Sequence, residues 1–304
     1  MQNARLKNYL HFHFIVFIFG FTAILGELIT LEALPLVWYR MWLATGFVFV
    51  YIKWKKLSLK VSPKLFLVLT FAGVIIALHW CTFFGAIKAS NVSITLAVLS
   101  TGAFFTAFLE PIFYRRKLIW YELLFGLVVI FGLYLIFSVE GDYVMGILLA
   151  LLSAFFASIF TLINGKVIEK QYPSVISFYE LLTGVLGVTL YFLFQTIFGD
   201  TTSGFSAAFF TVKASDWLYL LVLASICTAY AFIASVKVMR YLSPYTIMLT
   251  NNLEPVYGIF LAFLIFGNNE KMEGKFYIGA ALILTTVVLN GAFKMLQKRK
   301  IAST

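Results

Sequence analysis

The strongest constraint on this chain is that apolar runs of about twenty residues follow one another from end to end with only short polar breaks. At 1.5 Å per helical residue, a run of that length matches the ~30 Å hydrocarbon core of a bilayer. Lipid offers no partners to backbone N–H and C=O groups, so a spanning segment is a helix or belongs to a closed barrel. Barrel strands alternate apolar and polar residues, whereas these runs are continuous, and the spans therefore read as helices. Composition agrees: 62% of the 304 residues are hydrophobic and 12% charged, with a mean hydropathy of +0.96, against ~25% charged in a soluble domain. The expected fold class is an all-α integral membrane protein with no room for a soluble domain.

Ten spans are expected, at about 12–31, 34–52, 65–87, 91–113, 119–138, 144–166, 174–197, 216–237, 244–266 and 275–294. Pro35, Pro173 and Pro244 open spans, where a missing N–H costs nothing. Only Pro255 lies deep inside one. The basic residues sort by side: 18 fall on one set of loops and 4 on the other. The basic set is cytoplasmic by the positive-inside rule, which puts both termini inside a multi-pass protein of the cytoplasmic membrane. A net charge of +10 would point a soluble chain toward nucleic acid, but here it is loop charge and implies no such partner. The apolar run behind Arg5 and Lys7 imitates a secretory signal yet continues past the usual length, so it reads as an uncleaved first span. Cys81 and Cys227 have no metal or disulfide spacing, and neither a metal nor a cofactor is expected. The connection from Gly199 to Ser215 reads as a flexible surface loop.

Ten spans divide into five and five. Because five is odd, the second half enters the membrane inverted relative to the first, as in many transporters. The expected halves are 1–140 and 141–304, two five-helix inverted repeats. Ser90-Asn91 with Gly126 and Ser243-Pro244 with Gly279 repeat at a constant offset of 153 residues.

The polar residues inside the spans are few. The ninth span carries Asn251, Asn252, Glu254 and Pro255 near its middle. Pro255 cannot bond the carbonyl of Asn251 and is expected to kink the helix there. Asn251, Glu254 and Gly258 share a face by their spacing, while Asn252 points elsewhere. Two readings of Glu254 stand: a functional carboxyl facing a polar cavity, or a structural clasp to a neighbouring helix. In the first reading it carries proton coupling or serves as counter-ion to a cationic solute. Glu27 and Arg40 are each costly in lipid unless paired, and a mutual ion pair at the outer mouth is expected, as clasp or as binding element. His79 reads as a relay or as a neutral ring bonding helix to helix. Trp80, Tyr230 and Tyr257 lie deep enough to wall a cavity or simply to pack. Glu180 is expected at the interface, snorkelling or paired with Lys170, and Asn164 as a helix-end cap.

Several motifs in order give the chain a family resemblance: Phe19-Gly20-Phe-Thr-Ala-Ile, Pro35 with Arg40, His79-Trp80-Cys-Thr-Phe-Phe-Gly-Ala-Ile-Lys88-Ala-Ser90-Asn91-Val-Ser93, Leu253-Glu254-Pro255-Val-Tyr257-Gly258 with Phe266-Gly267, and Phe276-Tyr277-Ile-Gly279-Ala. With these it resembles the drug/metabolite transporter superfamily, in particular its EamA-domain branch, over nearly its whole length. The resemblance implies a ten-helix carrier with a central cavity, moving small polar metabolites such as amino acids, often outward. Asn268 departs from the acid many relatives carry after Phe-Gly. Thr101 stands where many have a proline in the first-half counterpart of Pro255, which argues against identical gating of the two halves.

The expected function is therefore secondary transport of a small-molecule solute by alternating access, with Glu254, Asn251, Pro255, Tyr257, Glu27, Arg40, His79 and Trp80 as candidate binding or coupling residues. The alternative class is an intramembrane enzyme, a protease or lipid-modifying transferase. The spans contain no His-Glu-x-x-His, no Gly-x-Ser-x-Gly and no paired Asp, and nothing orients His79 against Ser93 or Cys81. No ring of charge or repeated filter marks a channel.

The orientation has a direct test. Cysteines placed at Ser203 and Asn269 are expected to react with an impermeant thiol reagent on intact cells, and one at Ser62 is not. The reverse labelling pattern would refute the assignment of sides.

Overall fold

The computed structural model describes residues 2–115, 120–139, 141–199 and 204–302, and among these every regular element is helical. Short one-turn helices aside, in chain order they are α1 (Gln2–Leu28), α2 (Ala33–Trp54), α3 (Pro63–Ala89), α4 (Val92–Tyr114), α5 (Trp120–Val139), α6 (Val144–Val167), α7 (Pro173–Phe198), α8 (Ala214–Val238), α9 (Pro244–Asn251), α10 (Glu254–Phe266) and α11 (Gly274–Ala302). Seven helices, α1–α4 and α6–α8, are long and apolar enough to cross a membrane by length and composition. Three shorter apolar stretches, Leu124–Ile136 in α5, Glu254–Phe266 and Gly274–Thr286 in α11, fall where the remaining expected spans lie.

The helix starts follow local chemistry. Ser62 accepts from the Leu65 N–H ahead of Pro63, Asn91 accepts from the Ile94 N–H at 2.8 Å, and Ser243 accepts from the Thr246 N–H ahead of Pro244. Each oxygen satisfies an N–H that the first turn leaves open. The surface is apolar and the interior carries the charge, the reverse of a soluble protein. Val50, Ile112 and Phe198 are 65%, 74% and 73% exposed, while Arg40, Glu180 and Glu254 are buried. Such a surface suits lipid and would be an aggregation hazard in water.

Two of the long apolar stretches are broken in the same way. In α4, the first eight residues (Val92–Leu99) are followed by a two-residue turn and then Gly102–Tyr114. The second half repeats this with α9, Asn252-Leu253 and α10, again eight residues before the turn and thirteen after. Each turn is tightened by a three-residue bond, Thr101 N–H to Val98 O and Leu253 N–H to Thr250 O. The N-caps Asn91 and Ser243 thus match at an offset of 152 residues, one less than the sequence motifs indicated. The lack of a proline at Thr101 does not spare the first half. Ser100 and Thr101 hydroxyls bond back to the carbonyls of Ala97 and Val98, and Ser158 of α6 donates to Gly102 O at 2.8 Å. These bonds supply what a proline supplies in the other half. Pro255 accordingly sits in the first turn of α10, after a break, instead of kinking a continuous helix.

Other expectations for the sequence are also revised. The described part of the connection before α8 forms a one-turn helix, Ala207–Phe210, whose Phe209 packs with Trp38, Tyr39, Phe192 and Phe205. Aromatic stacking anchors this stretch, so it is not a free loop. Asn164 is fully buried and reaches across to α7 instead of capping α6.

Close helix crossings are made by glycine, since without a hydrophobic force between helices in lipid, backbone approach and dispersion hold them together. At the α3–α7 crossing Gly73 faces Gly184, and a Cβ on Gly184 would fall 2.5 Å from the Gly73 carbonyl oxygen. One turn further along α7, a Cβ on Gly187 would meet nothing. Gly184→Ala is therefore expected to lower the thermal midpoint of the purified protein, at a cost of at least ~1–3 kcal/mol from overpacking. Gly187→Ala should leave it unchanged or slightly raised, because alanine is the better helix former. Equal melting of Gly184→Ala and wild type would show that the crossing is not tight.

Candidate functional site

The breaks in α4 and between α9 and α10 meet at one cavity of about 100 Å³ inside the bundle. That is well above the ~10–15 Å³ one buried water needs. Six of the sequence-predicted residues line it: Arg40 from α2, His79 and Trp80 from α3, and Asn251, Glu254 and Pro255 around the second break. Helices α1, α4, α6 and α8 complete the wall.

Arg40 is 2% exposed, and its environment accounts for how a guanidinium is held there. Nε donates to Thr228 Oγ1 at 2.6 Å, and the guanidinium carbon lies 4.0 Å from the Trp80 ring centroid and 5.3 Å from that of Phe84. Cation–π contacts of this kind are worth more when desolvated. Thr228 reaches Arg40 because residues Ser225–Tyr230 of α8 form a π-helical turn, closed by Thr228 Oγ1 to Leu223 O at 2.7 Å. Single π turns often mark functional sites. Two groups act electrostatically on Arg40 from the same cavity lining, the Cys227 thiol and the Glu254 carboxyl, and Glu254 is 8% exposed.

The expected Glu27–Arg40 ion pair does not form. Arg40 points to Thr228, Trp80 and Glu254, whereas Glu27 belongs to a separate polar layer near the α1 C-terminus. There the Lys88 ammonium donates to the carbonyls of Ile29 and Glu27 at 2.8 and 3.3 Å. Glu270 accepts from the Val92 and Ser93 N–H groups at the start of α4, and Asp216 accepts from the Thr30 hydroxyl at 2.7 Å. Carboxylates at helix N-termini and a cation at a C-terminus complement the helix dipoles. Tyr257 is also outside the cavity, with its ring edge against Phe17.

His79 bonds helix to helix. Nδ1 lies 3.0 Å from the Ser153 carbonyl and 2.8 Å from its hydroxyl. A carbonyl only accepts, so Nδ1 carries a proton, and in the neutral ring Nε2 is an acceptor on a side chain that lines the cavity. The apolar wall is aromatic and thioether-rich, with Phe12, Phe19, Phe83, Phe160, Phe232 and Met248 among its members.

Three polar atoms around the cavity have no hydrogen-bond partner among the described residues: Arg40 Nη1, Asn251 Oδ1 and Asn252 Nδ2. A buried polar group without a hydrogen bond is costly, and one that lines a cavity is available to a ligand or water. Asn252 was expected to point away, but the break turns it inward beside Asn251. Thr228 and Ser100 are functional candidates that the sequence reading did not single out. The polar Ser100-Thr101-Gly102 run in the middle of an apolar span was the available signal for the latter, and nothing in the sequence signals the π turn that delivers Thr228. The cavity as built can bind both ends of a small dipolar molecule, with a fixed cation, a carboxyl, two amides and an apolar wall.

Comparison with known proteins places the chain. A solved structure described as the crystal structure of a protein aligns over 95% of this chain and 97% of its own, with a TM-score of 0.65 and 16% identity, a likeness of fold. No curated protein matches. The family model described as the EamA-like transporter family matches twice, over residues 7–138 and 144–292. With both matches together spanning nearly the whole sequence, the chain belongs to the EamA-like transporter family.

Proposed function

We propose that this membrane transporter is a secondary carrier that exports small polar metabolites, amino acids and related zwitterions among them, across the cytoplasmic membrane by alternating access. In this reading the chain makes ten crossings as two inverted five-helix repeats, 1–140 and 141–304, with both termini inside. The observation that carries the proposal is the internal cavity that Arg40 and Glu254 line together amid aromatic walls. A zwitterion can present a carboxylate to Arg40 Nη1 and an ammonium to Glu254, while the amides of Asn251 and Asn252 fix its orientation. An apolar side chain then packs on Trp80, Phe160 and Phe232. The equal breaks in α4 and between α9 and α10 leave irregular backbone only where it lines this cavity, as membrane carriers require.

The bonds of Lys88, Glu270 and Asp216 tie helix ends together at the end of the bundle assigned to the outside. The cavity extends instead along Phe12, Met239 and Ile247 toward the inner ends of α1, α8 and α9. This fits a carrier in which the solute is taken up from the cytoplasmic side.

Counterflow of radiolabelled phenylalanine in proteoliposomes tests the reading. Removing one partner of a buried charge pair costs ~2–5 kcal/mol, so Glu254→Gln and Arg40→Gln should each lower the rate by tenfold or more, ~1.4 kcal/mol per factor of ten. Both should still insert into the membrane. Wild-type rates in Glu254→Gln together with misfolding of Glu254→Leu would make the residue a structural clasp and remove it from the site.

A further inference from the structure

Besides the carboxyls at the helix ends, the bundle holds a fully buried one that the cavity does not use. Glu180 lies on α7 seven residues past Pro173, roughly 10 Å along the helix, and is 0% exposed. The sequence placed it at the interface with Lys170, but Lys170 is exposed and the carboxyl turns inward. Its hydrogen bond runs from Asn164 of α6, Nδ2 to Oε2, at 3.4 Å. Glu180 Oε1, Asn164 Oδ1 and the hydroxyl of Ser177, one turn earlier on the same face of α7, have no partner among the described residues.

No cation compensates this carboxyl among the described residues. On α6, Lys166 is exposed over the rings of Phe113 and Tyr114, and Glu169 beyond the helix end is exposed. On α3, Lys64 is exposed and His79 is held by Ser153. On α2, Lys53 is exposed near the Phe49 ring and Arg40 is committed to Thr228 and Trp80; Lys55, just beyond the helix, lies over Trp54. On α8, Lys237 is exposed, and Arg240 just after it bonds the carbonyls of Ile168 and Gln171. The neighbouring Tyr179 hydroxyl donates to Leu59 O. Glu254, by contrast, has Arg40 across the cavity. Of the buried carboxyls, Asp216 and Glu270 accept from hydroxyl or backbone N–H groups at helix ends and Glu254 has Arg40, so Glu180 is the one whose charge has to be balanced from outside the protein.

We propose that Glu180 and Asn164 form a proton-binding site, separate from the solute cavity, whose occupancy couples solute movement to proton movement. This rests on the carrier reading of the cavity. One N–H of Asn164 is used on Oε2, and Glu180 Oε1 and Asn164 Oδ1 accept no hydrogen bond from the described residues. One proton taken from bulk water onto the carboxyl neutralises its charge and supplies the missing donor. Asn164 lies one turn from Thr161, which lines the cavity, so a change at the proton site reaches the solute site along one face of α6.

Infrared spectra of the purified protein in detergent at neutral pH provide the test. Wild type minus Glu180→Gln is expected to show a carboxylic-acid C=O band that shifts in D2O. If Glu180→Gln does not fold, Asn164→Ala, which keeps the carboxyl and removes its bond, must shift that band. In proteoliposomes the ratio of pH-gradient-driven phenylalanine flux to counterflow should fall at least tenfold in Glu180→Gln. A featureless difference spectrum, a band abolished by added sodium, or an unchanged flux ratio would each overturn the proton site. Absence of counterflow in the wild type would instead defeat the carrier reading, with the infrared bands still deciding whether Glu180 holds a proton.

Discussion

A guanidinium buried in the middle of an apolar bundle is the constraint around which the rest is arranged. Arg40 cannot snorkel from its position on α2, so neighbouring helices bring groups to it: a ring from α3, a hydroxyl from the π turn of α8 and a carboxyl from the start of α10. Burying one charge alone would cost several kcal/mol, and the arrangement offsets that by distributing compensation over three helices. It also means that Trp80, Thr228 and Glu254 owe their positions to one shared partner. The free Nη1 shows that the compensation is incomplete, and this is what gives the cavity a binding capacity.

The two broken stretches show how different residues produce one backbone. In the second half a proline sits just after the break, and in the first half serine and threonine hydroxyls bonded back to the helix do the same work with help from Ser158. Comparing motifs letter by letter misses this equivalence because the physical requirement is a tight turn at a fixed depth, and more than one chemistry satisfies it.

Much of the architecture could be read from the chain because lipid makes apolar length the dominant signal, and the cluster at Asn251, Glu254 and Pro255 stood out against it. What could not be read is which partner each buried polar residue finds. Arg40 and Thr228 are 188 residues apart and meet through a π turn that has no sequence signature. Asn252 changes face because two residues leave the helical repeat, and Glu180 looks interfacial by its distance from Pro173 but is covered by the close approach of α3. Depth along a helix is legible from hydropathy. Rotation about its axis and the identity of the facing helix are not.

The contact of Gly73 with Gly184 also limits how this protein can change shape. Where two backbones touch without intervening side chains, sliding one helix along the other would drive the next, larger residues into the same gap. This contact opposes shear between α3 and α7, and the two helices are expected to turn together as one rigid body. The rigid body carries His79 and Trp80 on one member and Glu180 on the other. Any rearrangement that opens the bundle must therefore bend elsewhere, at the two-residue turns after Leu99 and Asn251, where the helical ladder is already interrupted.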